Sequence, residues 1–394
     1  MIHNGFISGN TIKLLCSGND FFPELERAIN AAQSEIYLET YIFNDDRIGR
    51  KIATALMRAA QRGVFVHVLI DGFGSYHLPE SFIQTLLDAR VKLLIFRRED
   101  LWFKFRRYRL RRMHRKLVII DAHVAFVGGI NIVSDTDDSE NHIPRFDYAV
   151  KVEGPVLERI DAAMRRLWMI VAWAHFKKRW INHKKQPLPD IHKGNQLAAF
   201  LIRDNIRHRH TIERAYLEAI NHANQEIIIA NAYFLPGRNF CRALNAAASR
   251  GVSVILLLQG KIEYRMQHYA TRALYGNLLD AGIKIYEYNR HYLHAKVAVI
   301  DCCWSTVGSS NIDPFSLMLA REANLVIHDK GFAAQLRTSL MRAISKESVL
   351  VVRSGWRSQS WLNHVIYQLC YIVIYYAQSI LGYGHKAMQP RVAS

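Results

Sequence analysis

The amino-acid sequence predicts an α/β fold built from two tandem α/β/α repeats. The first observation is an internal repeat, in which residues 28–43 (AINAAQSEIYLETYIF) align with residues 219–234 (AINHANQEIIIANAYF). The second is an alternation, within each half, of segments with helical apolar spacing and short apolar segments rich in β-branched residues. Apolar strands separated by helices are typical of a mixed sheet that is covered by helices.

Three further pairs of aligned segments extend the repeat. Residues 62–72 align with 250–260, residues 86–96 with 278–288, and residues 114–132 with 294–312. Because the order of the segments is the same in both halves, we interpret the chain as one duplicated unit of ordinary domain size.

The apolar spacing predicts the elements of the first half in chain order. They are a helix at 22–32, a strand at 35–43, a helix at 52–61, a strand at 64–70, a helix at 82–87, a strand at 91–96, and short buried strands at 117–120 and 124–127. Prolines and charges in residues 177–196 indicate a linker. We therefore expect a first repeat at 1–180, a linker at 181–196, a second repeat at 197–350 and a tail at 351–394.

The composition indicates an anionic partner. The 394 residues include 52 lysines and arginines against 34 aspartates and glutamates, a formal net charge of +18, which suits nucleic acid, anionic lipid or a phosphorylated substrate. With 50% hydrophobic residues the chain is neither disordered nor collagen-like. The five cysteines form no CxxC pattern, which favours a reducing compartment over a disulfide framework or a zinc ribbon. The first residues lack a signal-peptide pattern, so we expect the catalytic part in the cytoplasm.

One motif occurs twice, at matching places in the repeat. It has the form His-x-Lys-x4-Asp and comprises His114, Lys116 and Asp121 in the first half and His294, Lys296 and Asp301 in the second. Each copy is followed at the same offset by two small residues and an asparagine, namely Gly128, Gly129 and Asn131, and Gly308, Ser309 and Asn311. These residues are the candidates for an active site.

The spacing of the motif has a physical meaning. On an extended strand, residues i and i+2 point to the same face, so the histidine and lysine of each copy project together. A pseudo-two-fold packing of the halves then forms one shared pocket with two imidazoles and two ammonium groups. Two imidazoles suit a nucleophile and a general acid–base, and the lysines and asparagine amides suit stabilisation of phosphoryl oxygens. The small residues allow a phosphate to approach the backbone closely, whereas Asp121 and Asp301, at an odd offset, are expected to face away and to have a structural role.

The duplicated motif resembles that of the phospholipase D superfamily, and within it the bacterial cardiolipin synthases. The segments that carry the resemblance are residues 111–132, 147–155, 227–237, 293–301 and 307–327, and it extends over residues 11–329. The paired motifs are specific for the superfamily, but nucleases share them. Two departures are mild: Gly129 stands where the second copy has Ser309, and Ala295 stands where the family often has glycine.

The resemblance implies a two-step transfer without a metal or another cofactor. One histidine attacks a phosphodiester to form a phosphohistidine, and the other protonates the leaving alcohol and then activates an incoming one. By analogy we predict His114 as the nucleophile and His294 as the acid–base, although the near equivalence of the halves leaves this order open. Asp147 and Glu322 occupy matching places and resemble the carboxylates that hold the second nitrogen of each histidine in the family.

A basic segment precedes the first motif. Residues 97–116 contain ten basic and two acidic residues, and a 12-residue insertion at 102–113 has no counterpart in the second half. Aromatic and basic side chains alternate there, and Trp102, Arg106, Arg107 and Arg109 are candidates for membrane binding. Anionic lipid is the favoured partner. A nucleic-acid contact or a solvated loop are the alternatives.

Two apolar segments bear on membrane contact. Residues 167–176 (LWMIVAWAHF) are too few to span a bilayer and suit either a core helix or an interfacial helix. Residues 358–385 contain no Asp, Glu, Lys or Arg and place an apolar stripe opposite a polar one, which predicts a C-terminal amphipathic helix. We expect an interfacial anchor involving Trp361, Ile366, Tyr371 and Val373; a helix packed on the domain is the alternative.

The resemblance implies a cardiolipin synthase, which would transfer a phosphatidyl group between two phosphatidylglycerol molecules to give cardiolipin and glycerol. With the basic segment and the uncharged tail, we expect it to be peripheral on the cytoplasmic side of a bacterial cell membrane. The alternatives are a phospholipase D-type hydrolase, a nuclease of the same superfamily, or a lipid-binding scaffold. No nucleic-acid partner is expected, and the oligomeric state stays open.

Overall fold

The computed structural model describes residues 5–97, 112–134, 144–180, 192–204, 208–313 and 320–378. Its strands are β1 (Ile7–Cys16), β2 (Glu35–Thr40), β3 (Phe65–Asp71), β4 (Lys92–Phe96), β5 (Leu117–Ile120), β6 (Val124–Gly128), β7 (Arg145–Phe146), β8 (Tyr148–Glu153), β9 (Gln196–Arg203), β10 (Glu226–Asn231), β11 (Ser253–Gln259), β12 (Lys284–Tyr288), β13 (Tyr292–Leu293), β14 (Lys296–Ile300), β15 (Trp304–Gly308), β16 (Glu322–His328) and β17 (Ser348–Leu350).

Helices cover the strands in both halves. They are α1 (Ser17–Ala31), α2 (Arg47–Gln61), α3 (Glu80–Asp88), α4 (Leu157–Ala174), α5 (Thr211–His222), α6 (Arg238–Ser249), α7 (Arg265–Arg272), α8 (Tyr275–Asp280), α9 (Lys330–Glu347), α10 (Arg353–Arg357) and α11 (Trp361–Gln378), with a 3₁₀ turn at Lys178–Trp180. The predicted α/β fold of two repeats is therefore confirmed.

The sheet shows how the two repeats are joined. Within the described residues, the strands of one sheet follow the order β17-β12-β11-β10-β14-β15-β16-β9-β1-β8-β6-β5-β2-β3-β4. On either side of the central β9–β1 pair, each strand has a counterpart at the same distance, and β17 alone extends the second half. Because β1 and β9 pair antiparallel, the sheet itself has a pseudo-two-fold at its centre.

The predicted elements of the first half match the structure within a few residues. The strand at 117–120 coincides with β5, and the helices predicted at 22–32 and 52–61 begin earlier, at Ser17 and Arg47. Asp46 explains the second of these starts, because its side chain accepts a hydrogen bond from the backbone N–H of Gly49 and caps α2. The division into regions at 180, 196 and 350 stays a prediction.

Two layers of core lie on opposite faces of the sheet. Helices α1 to α3 cover one face of the first half, and α5, α6 and α8 cover the corresponding face of the second. The other face carries α4 and α9, and its apolar core is continuous from Val127 and Val150 in the first half to Val297 and Leu325 in the second. The halves therefore share one core and are not separate bodies joined by a linker.

Helix α4 combines the two alternatives considered for residues 167–176. Leu167, Trp168 and Val171 are buried in the core, whereas Trp173 and Phe176 are exposed. The segment is thus a core helix with an apolar outer face.

Helix α11 packs on the second half through one side. Tyr367 and Ile374 are buried, with Cys370 and Tyr371 beside them. The predicted apolar stripe, including Leu362, Leu369 and Val373, faces outward and is exposed. No helix of the described part of the chain is both long and apolar enough to cross a membrane.

Candidate active site

The two motif histidines lie where the halves meet. His114 lies shortly before β5, which begins at Leu117, and its backbone N–H donates to the carbonyl of Arg321 at 3.0 Å. His294 lies between β13 and β14, and its N–H donates to the carbonyl of Phe146 at 2.8 Å. Each histidine is therefore tied by its backbone to the opposite half.

The predicted orienting carboxylates also come from the opposite half. Nδ1 of His114 lies 3.0 Å and 3.1 Å from the two carboxylate oxygens of Glu322. Nδ1 of His294 lies 2.5 Å from Oδ2 of Asp147. Because Arg321 and Phe146 directly precede these acids, one strand register delivers both the backbone bond and the carboxylate. Each Nδ1–H donates to a carboxylate, which leaves Nε2 of each imidazole available for chemistry.

The two histidines and the two carboxylates that hold them are largely shielded from water. The side chains of His114 and His294 are 15% and 11% exposed, and those of Glu322 and Asp147 are 0% and 4% exposed. Lys116 and Lys296 are also buried. Charge–charge interactions in such a pocket are screened weakly, so each group affects the others.

The His114–Glu322 pair favours the ionised carboxylate. Burial raises the pKa of Glu322, but the positive charge of His114, its hydrogen bond and Lys116 outweigh burial and hold that pKa below its ordinary value. Ser309 contributes as well, because its hydroxyl donates to Oε2 of Glu322 at 2.5 Å. Burial lowers the pKa of His114, and Glu322 opposes that shift.

In the His294–Asp147 pair, the pKa of the carboxyl group is shifted in the opposite direction. Burial raises the pKa of Asp147 to about 6, although Lys296 and the N–H of Tyr148 act in the other direction. Burial, Lys296 and Arg145 together lower the pKa of His294 well below its ordinary value. His294 is thus the more strongly held in its neutral form. Both copies of the motif lie in one pocket, because Asp147, which holds His294, packs against Gly129, and Glu322, which holds His114, is bound by Ser309.

The two lysines are placed beside the histidines by the strand period. Nζ of Lys116 donates to the carbonyl of His114 at 2.8 Å, and Nζ of Lys296 donates to the carbonyl of His294. Burial lowers the pKa of both ammonium groups, that of Lys116 strongly. Nζ of Lys296 also lies 3.8 Å from Oδ2 of Asp147. An anionic phosphate in the pocket would add further negative charge beside both lysines.

Asp121 and Asp301 face away from the pocket, as their odd offset predicts. The carboxylate of Asp121 accepts backbone N–H groups of residues 33, 34 and 35, each at 2.8 Å, and thereby ties the β5–β6 hairpin to the start of β2. Asp301 accepts the N–H groups of residues 224, 225 and 226 at 2.8 to 3.0 Å. Both aspartates have a positive φ and occupy the first of two left-handed positions in the tight turn.

The small residues after the motif serve the protein's own packing. A Cβ added at Gly128 would meet Ala149, one added at Gly308 would meet the side chain of Asn324, and one added at Gly129 would meet the Asp147 carboxylate. The missing hydroxyl at Gly129 is therefore explained, because Asp147 occupies the volume that Ser309 fills in the second half.

The two asparagines of the predicted site are buried. Oδ1 of Asn131 accepts the backbone N–H of Ile42 at 3.2 Å, and Asn311 lies in the corresponding segment of the second half. The substrate contacts predicted for Gly129, Asn131, Ser309 and Asn311 stay predictions.

Sequence reasoning missed two residues beside the pocket. The ring of Tyr41 lies edge-on to His114, with 4.8 Å between ring centroids, and Nζ of Lys116 lies 5.2 Å from the Tyr41 centroid. Arg115, read as part of the basic segment, is buried and pairs with Glu39 at 2.7 Å. The apolar neighbourhood of Glu39 on β2 was the only available signal, because a lone acid in a buried strand requires a partner.

The residues predicted to bind the membrane lie outside the described residues or on the surface. Trp102, Arg106, Arg107 and Arg109 belong to the part of the chain that is not described. Trp361 is exposed on α11. Within the described ranges, no group of three or more His, Cys, Asp or Glu side chains is arranged to hold a metal ion.

Comparison with known proteins identifies a matching family and proteins with the same fold. The family model described as "Cardiolipin synthase, PLD-like domain" matches residues 25–171 and 216–344, so that each match contains one copy of the motif. Two solved structures share the fold. Phosphatidylserine synthase from Haemophilus influenzae Rd KW20 is 14% identical with a TM-score of 0.66 over 96% of both chains, and polyphosphate kinase from Porphyromonas gingivalis is 13% identical with a TM-score of 0.57 over 93% of this chain and 53% of that one.

Curated relatives are more similar in sequence. Cardiolipin synthase B from Salmonella typhimurium (strain LT2) is 42% identical over 359 residues, 91% of this chain and 86% of that protein. Cardiolipin synthase B from Escherichia coli (strain K12) is 38% identical over 385 residues, 98% and 92% of the two chains. Cardiolipin synthase A from Pseudomonas entomophila is 31% identical over 85% of this chain and 68% of that protein. The chain therefore belongs to the cardiolipin synthase family of the phospholipase D superfamily, a family of phosphatidyltransferases.

Proposed function

We propose that this protein joins two phosphatidylglycerol molecules to give cardiolipin and glycerol, through a phosphohistidine intermediate. The observation that carries the proposal is the pair of imidazoles in one buried pocket, each with Nδ1 held by a carboxylate from the opposite half. This arrangement leaves two Nε2 atoms for one substrate. Hydrolysis, phosphatidyl transfer and nucleic-acid cleavage all use such a pair, and the cardiolipin synthase relatives favour phosphatidyl transfer.

The first step breaks the bond between phosphorus and the glycerol head group. Nε2 of one histidine attacks phosphorus, and the glycerol oxygen leaves with a proton from the other histidine. Lys116 and Lys296 neutralise the charge that develops on the phosphoryl oxygens. The products are free glycerol and a phosphatidyl group on nitrogen.

In the second step, the histidine that acted as the acid acts as the base. The histidine that gave its proton now takes one from a glycerol hydroxyl of a second phosphatidylglycerol, and that oxygen attacks phosphorus as the P–N bond breaks. The product is cardiolipin, and both imidazoles return to their first state. Exclusion of water from the buried pocket favours the alcohol over hydrolysis.

The order of the two histidines stays a prediction, with His114 as the nucleophile by analogy. One observation favours the reverse order. Burial lowers the pKa of both histidines, but ionised Glu322 opposes this shift at His114, whereas Lys296 and Arg145 add to it at His294. A neutral His294 suits nucleophilic attack, and a protonated His114 suits protonation of the leaving glycerol.

We also propose that the enzyme is peripheral on the cytoplasmic face of the bacterial cell membrane. The net charge of +18 favours an anionic surface, and the outer stripe of α11 presents Trp361, Leu362 and Val373 with exposures of 75%, 52% and 52%. Removal of residues from 358 onward should release the protein from vesicles that contain phosphatidylglycerol. Retention of binding would show that α11 is not the main anchor.

The activity is tested with purified protein and phosphatidylglycerol labelled in the glycerol head group and in one acyl chain. Release of labelled glycerol together with labelled cardiolipin would support the proposal. Phosphatidic acid as the only lipid product would favour a hydrolase. Cleavage of single-stranded DNA with no lipid product would favour a nuclease, and the absence of any turnover would overturn all three.

A further inference from the structure

An apolar cavity of about 320 Å³ lies next to the second motif, between α7, the segment after β10 and α11. Leu235, Met266 and Ile374 provide apolar walls, and Tyr264 lies at one side. Arg265, Gln267 and Asp313 supply the polar part of the lining. The volume lies at the lower end of the range found for ligand pockets, about 300 to 1,000 Å³.

Helix α11 forms one wall of this cavity. Ile374 is 4% exposed and packs with Leu235 and Ala270, and Cys370 and Tyr371 lie against the same cluster. Tyr367 stacks on Trp356 with 5.5 Å between ring centroids, which fixes the helix on the domain. The cavity therefore exists only with α11 in place.

Contacts between residues connect the cavity with the catalytic pocket. Asp313 follows Asn311 by two positions, and the backbone N–H of Leu235 donates to the carbonyl of Ile312 at 2.8 Å. Leu235 and Asp313, which both line the cavity, thus belong to the segments that end at the pocket.

A second set of contacts links Tyr264 in the cavity lining to the segment before Asp147. The rings of Tyr264 and Tyr233 lie 5.9 Å apart, and the Tyr233 hydroxyl donates to Glu263 at 2.6 Å. Arg145, two positions before Asp147, binds the same Glu263 at 3.3 Å. Tyr264 in the cavity lining is thus linked, through these contacts, to the segment that carries Asp147 of the catalytic pocket.

The chemistry of these surroundings identifies the occupant. A phosphodiester at the histidines that also carries long hydrocarbon chains needs a nearby apolar surface for them. Ile262, Tyr264 and Met266, with exposures of 47%, 59% and 52%, extend the apolar surface outward from the cavity.

We propose that the cavity between α7 and α11 binds one acyl chain of the phospholipid whose phosphate lies between His114 and His294. This proposal rests on the proposed function for the identity of the phosphate ester. It gives α11 a role in substrate binding in addition to the membrane contact of its outer stripe.

The kinetic test uses two exposed methionines as a matched pair. Met266→Trp places an indole into the cavity, whereas Met169→Trp makes the same change on α4, where Met169 is 44% exposed and distant in the fold. Each variant is assayed with phosphatidylglycerol carrying eight-carbon or sixteen-carbon chains, in the same detergent micelles. The ratio of kcat/KM for the long-chain to the short-chain lipid should fall at least about tenfold in Met266→Trp and stay unchanged in Met169→Trp.

A binding test does not depend on turnover. Phosphatidylglycerol with a diazirine at the end of one acyl chain is photolysed with the full-length protein, and the labelled peptides are mapped. We expect labels at residues 262–267 and 370–374, and their loss in Met266→Trp.

The outcomes separate the two proposals. Wild-type protein that turns over neither lipid but is labelled in the cavity would overturn the proposed function and keep the acyl-chain site. Wild-type protein that turns over both lipids, with an unchanged ratio in Met266→Trp and labels only on the outer stripe of α11, would overturn the acyl-chain site alone.

Discussion

The two halves of the chain keep the same histidine, lysine and aspartate but surround them differently. In the first half, Arg115 and Glu39 form a buried ion pair next to His114. The matching positions in the second half are Ala295 and Ala230, which lie in the apolar core. Burial raises the pKa of Glu39 to about 7 despite the arginine. The first half therefore bears a desolvation free energy for this ion pair that the second half avoids.

The immediate partners of the histidines differ as well. His114 has a glutamate that is bound by Ser309, whereas His294 has a shorter aspartate that fits against Gly129. Nearly identical motifs thus acquire different proton affinities from their neighbours. In the proposed mechanism, this difference would suit the two copies to two unlike steps, nucleophilic attack and proton transfer.

The largest expected effects on activity come from replacing either motif histidine, and they test whether the two histidines are equivalent. His114→Ala and His294→Ala should each lower kcat at least about 10³-fold, because one loses the nucleophile and the other the proton donor. Rapid quenching in denaturant at mildly alkaline pH, where the P–N bond survives, followed by peptide mapping of wild-type protein should place the phosphatidyl group on one histidine only. Label on His294 would support the order that electrostatics favours, and label on His114 would support the order predicted by analogy. Substantial activity in both variants would refute the two-histidine mechanism.

A second experiment makes the first half resemble the second. Arg115→Ala should lower the free energy of unfolding by about 3 kcal/mol, since it leaves Glu39 buried with only the more distant charge of Arg321. The double variant Glu39→Ala with Arg115→Ala should recover at least half of that loss, because no uncompensated charge remains. Urea unfolding of both variants and of Glu39→Ala gives the coupling energy. Equal losses in the single and double variants would contradict the role of the ion pair.

The two orienting carboxylates should have opposite effects on stability. Asp147 has a raised pKa, so wild-type protein loses stability as the pH rises from about 4 to about 6, where Asp147 ionises. Asp147→Asn removes that loss and should increase the free energy of unfolding by up to about 3 kcal/mol above pH 6.

Glu322 has a lowered pKa, so its contribution to stability is complete above pH 4.5 and is lost as the pH falls. Glu322→Gln should therefore destabilise the protein at neutral pH, and the difference from wild type should vanish in acid. Both variants should lose activity, because each leaves a histidine without its acceptor. Thermal unfolding from pH 4 to pH 8 measures the two trends; parallel trends would contradict the difference between the pairs.

The sequence predicted the parts of the site better than their pairing. The strand period placed His114 with Lys116, and the repeat identified Asp147 and Glu322 as matching positions. It did not predict that each acid serves the histidine of the other half, because that pairing depends on how β7–β13 and residues 112–114 cross between the halves. Strands β1 and β9, which pair at the centre of the sheet and join its two halves, carry no copy of the motif and were not predicted.

Charge patterning also has a physical limit. Arg115 belongs to a run of basic residues that reads as a solvated or lipid-facing surface, yet its side chain is 4% exposed. Its partner Glu39 is 76 positions away in the sequence and lies on a neighbouring strand. Local composition cannot distinguish such a buried arginine from its exposed neighbours, because the distinction arises only when the strands pair.

The smallest expected effect concerns the hairpin turns that hold the motif strands. Cys302 has a φ of +52°, a left-handed conformation that costs most residues about 1 to 2 kcal/mol and glycine nothing. After the greater chain entropy of glycine in the unfolded state is deducted, Cys302→Gly should raise the free energy of unfolding by about 0.5 to 1 kcal/mol.

The adjacent Cys303 is the control for this change, because it lacks a positive φ and packs against the core of the second half. Cys303→Gly should therefore destabilise the protein, although it is the same replacement one position later. The corresponding change in the first half is Ala122→Gly, at a φ of +55°. It should give a smaller gain than Cys302→Gly, because the methyl group of Ala122 is buried whereas Cys302 is exposed. Thermal unfolding at one pH measures all three variants. A loss of stability in Cys302→Gly would mean that the exposed thiol contributes more than the strain of its backbone costs, and the two hairpins would then differ as the two carboxylates do.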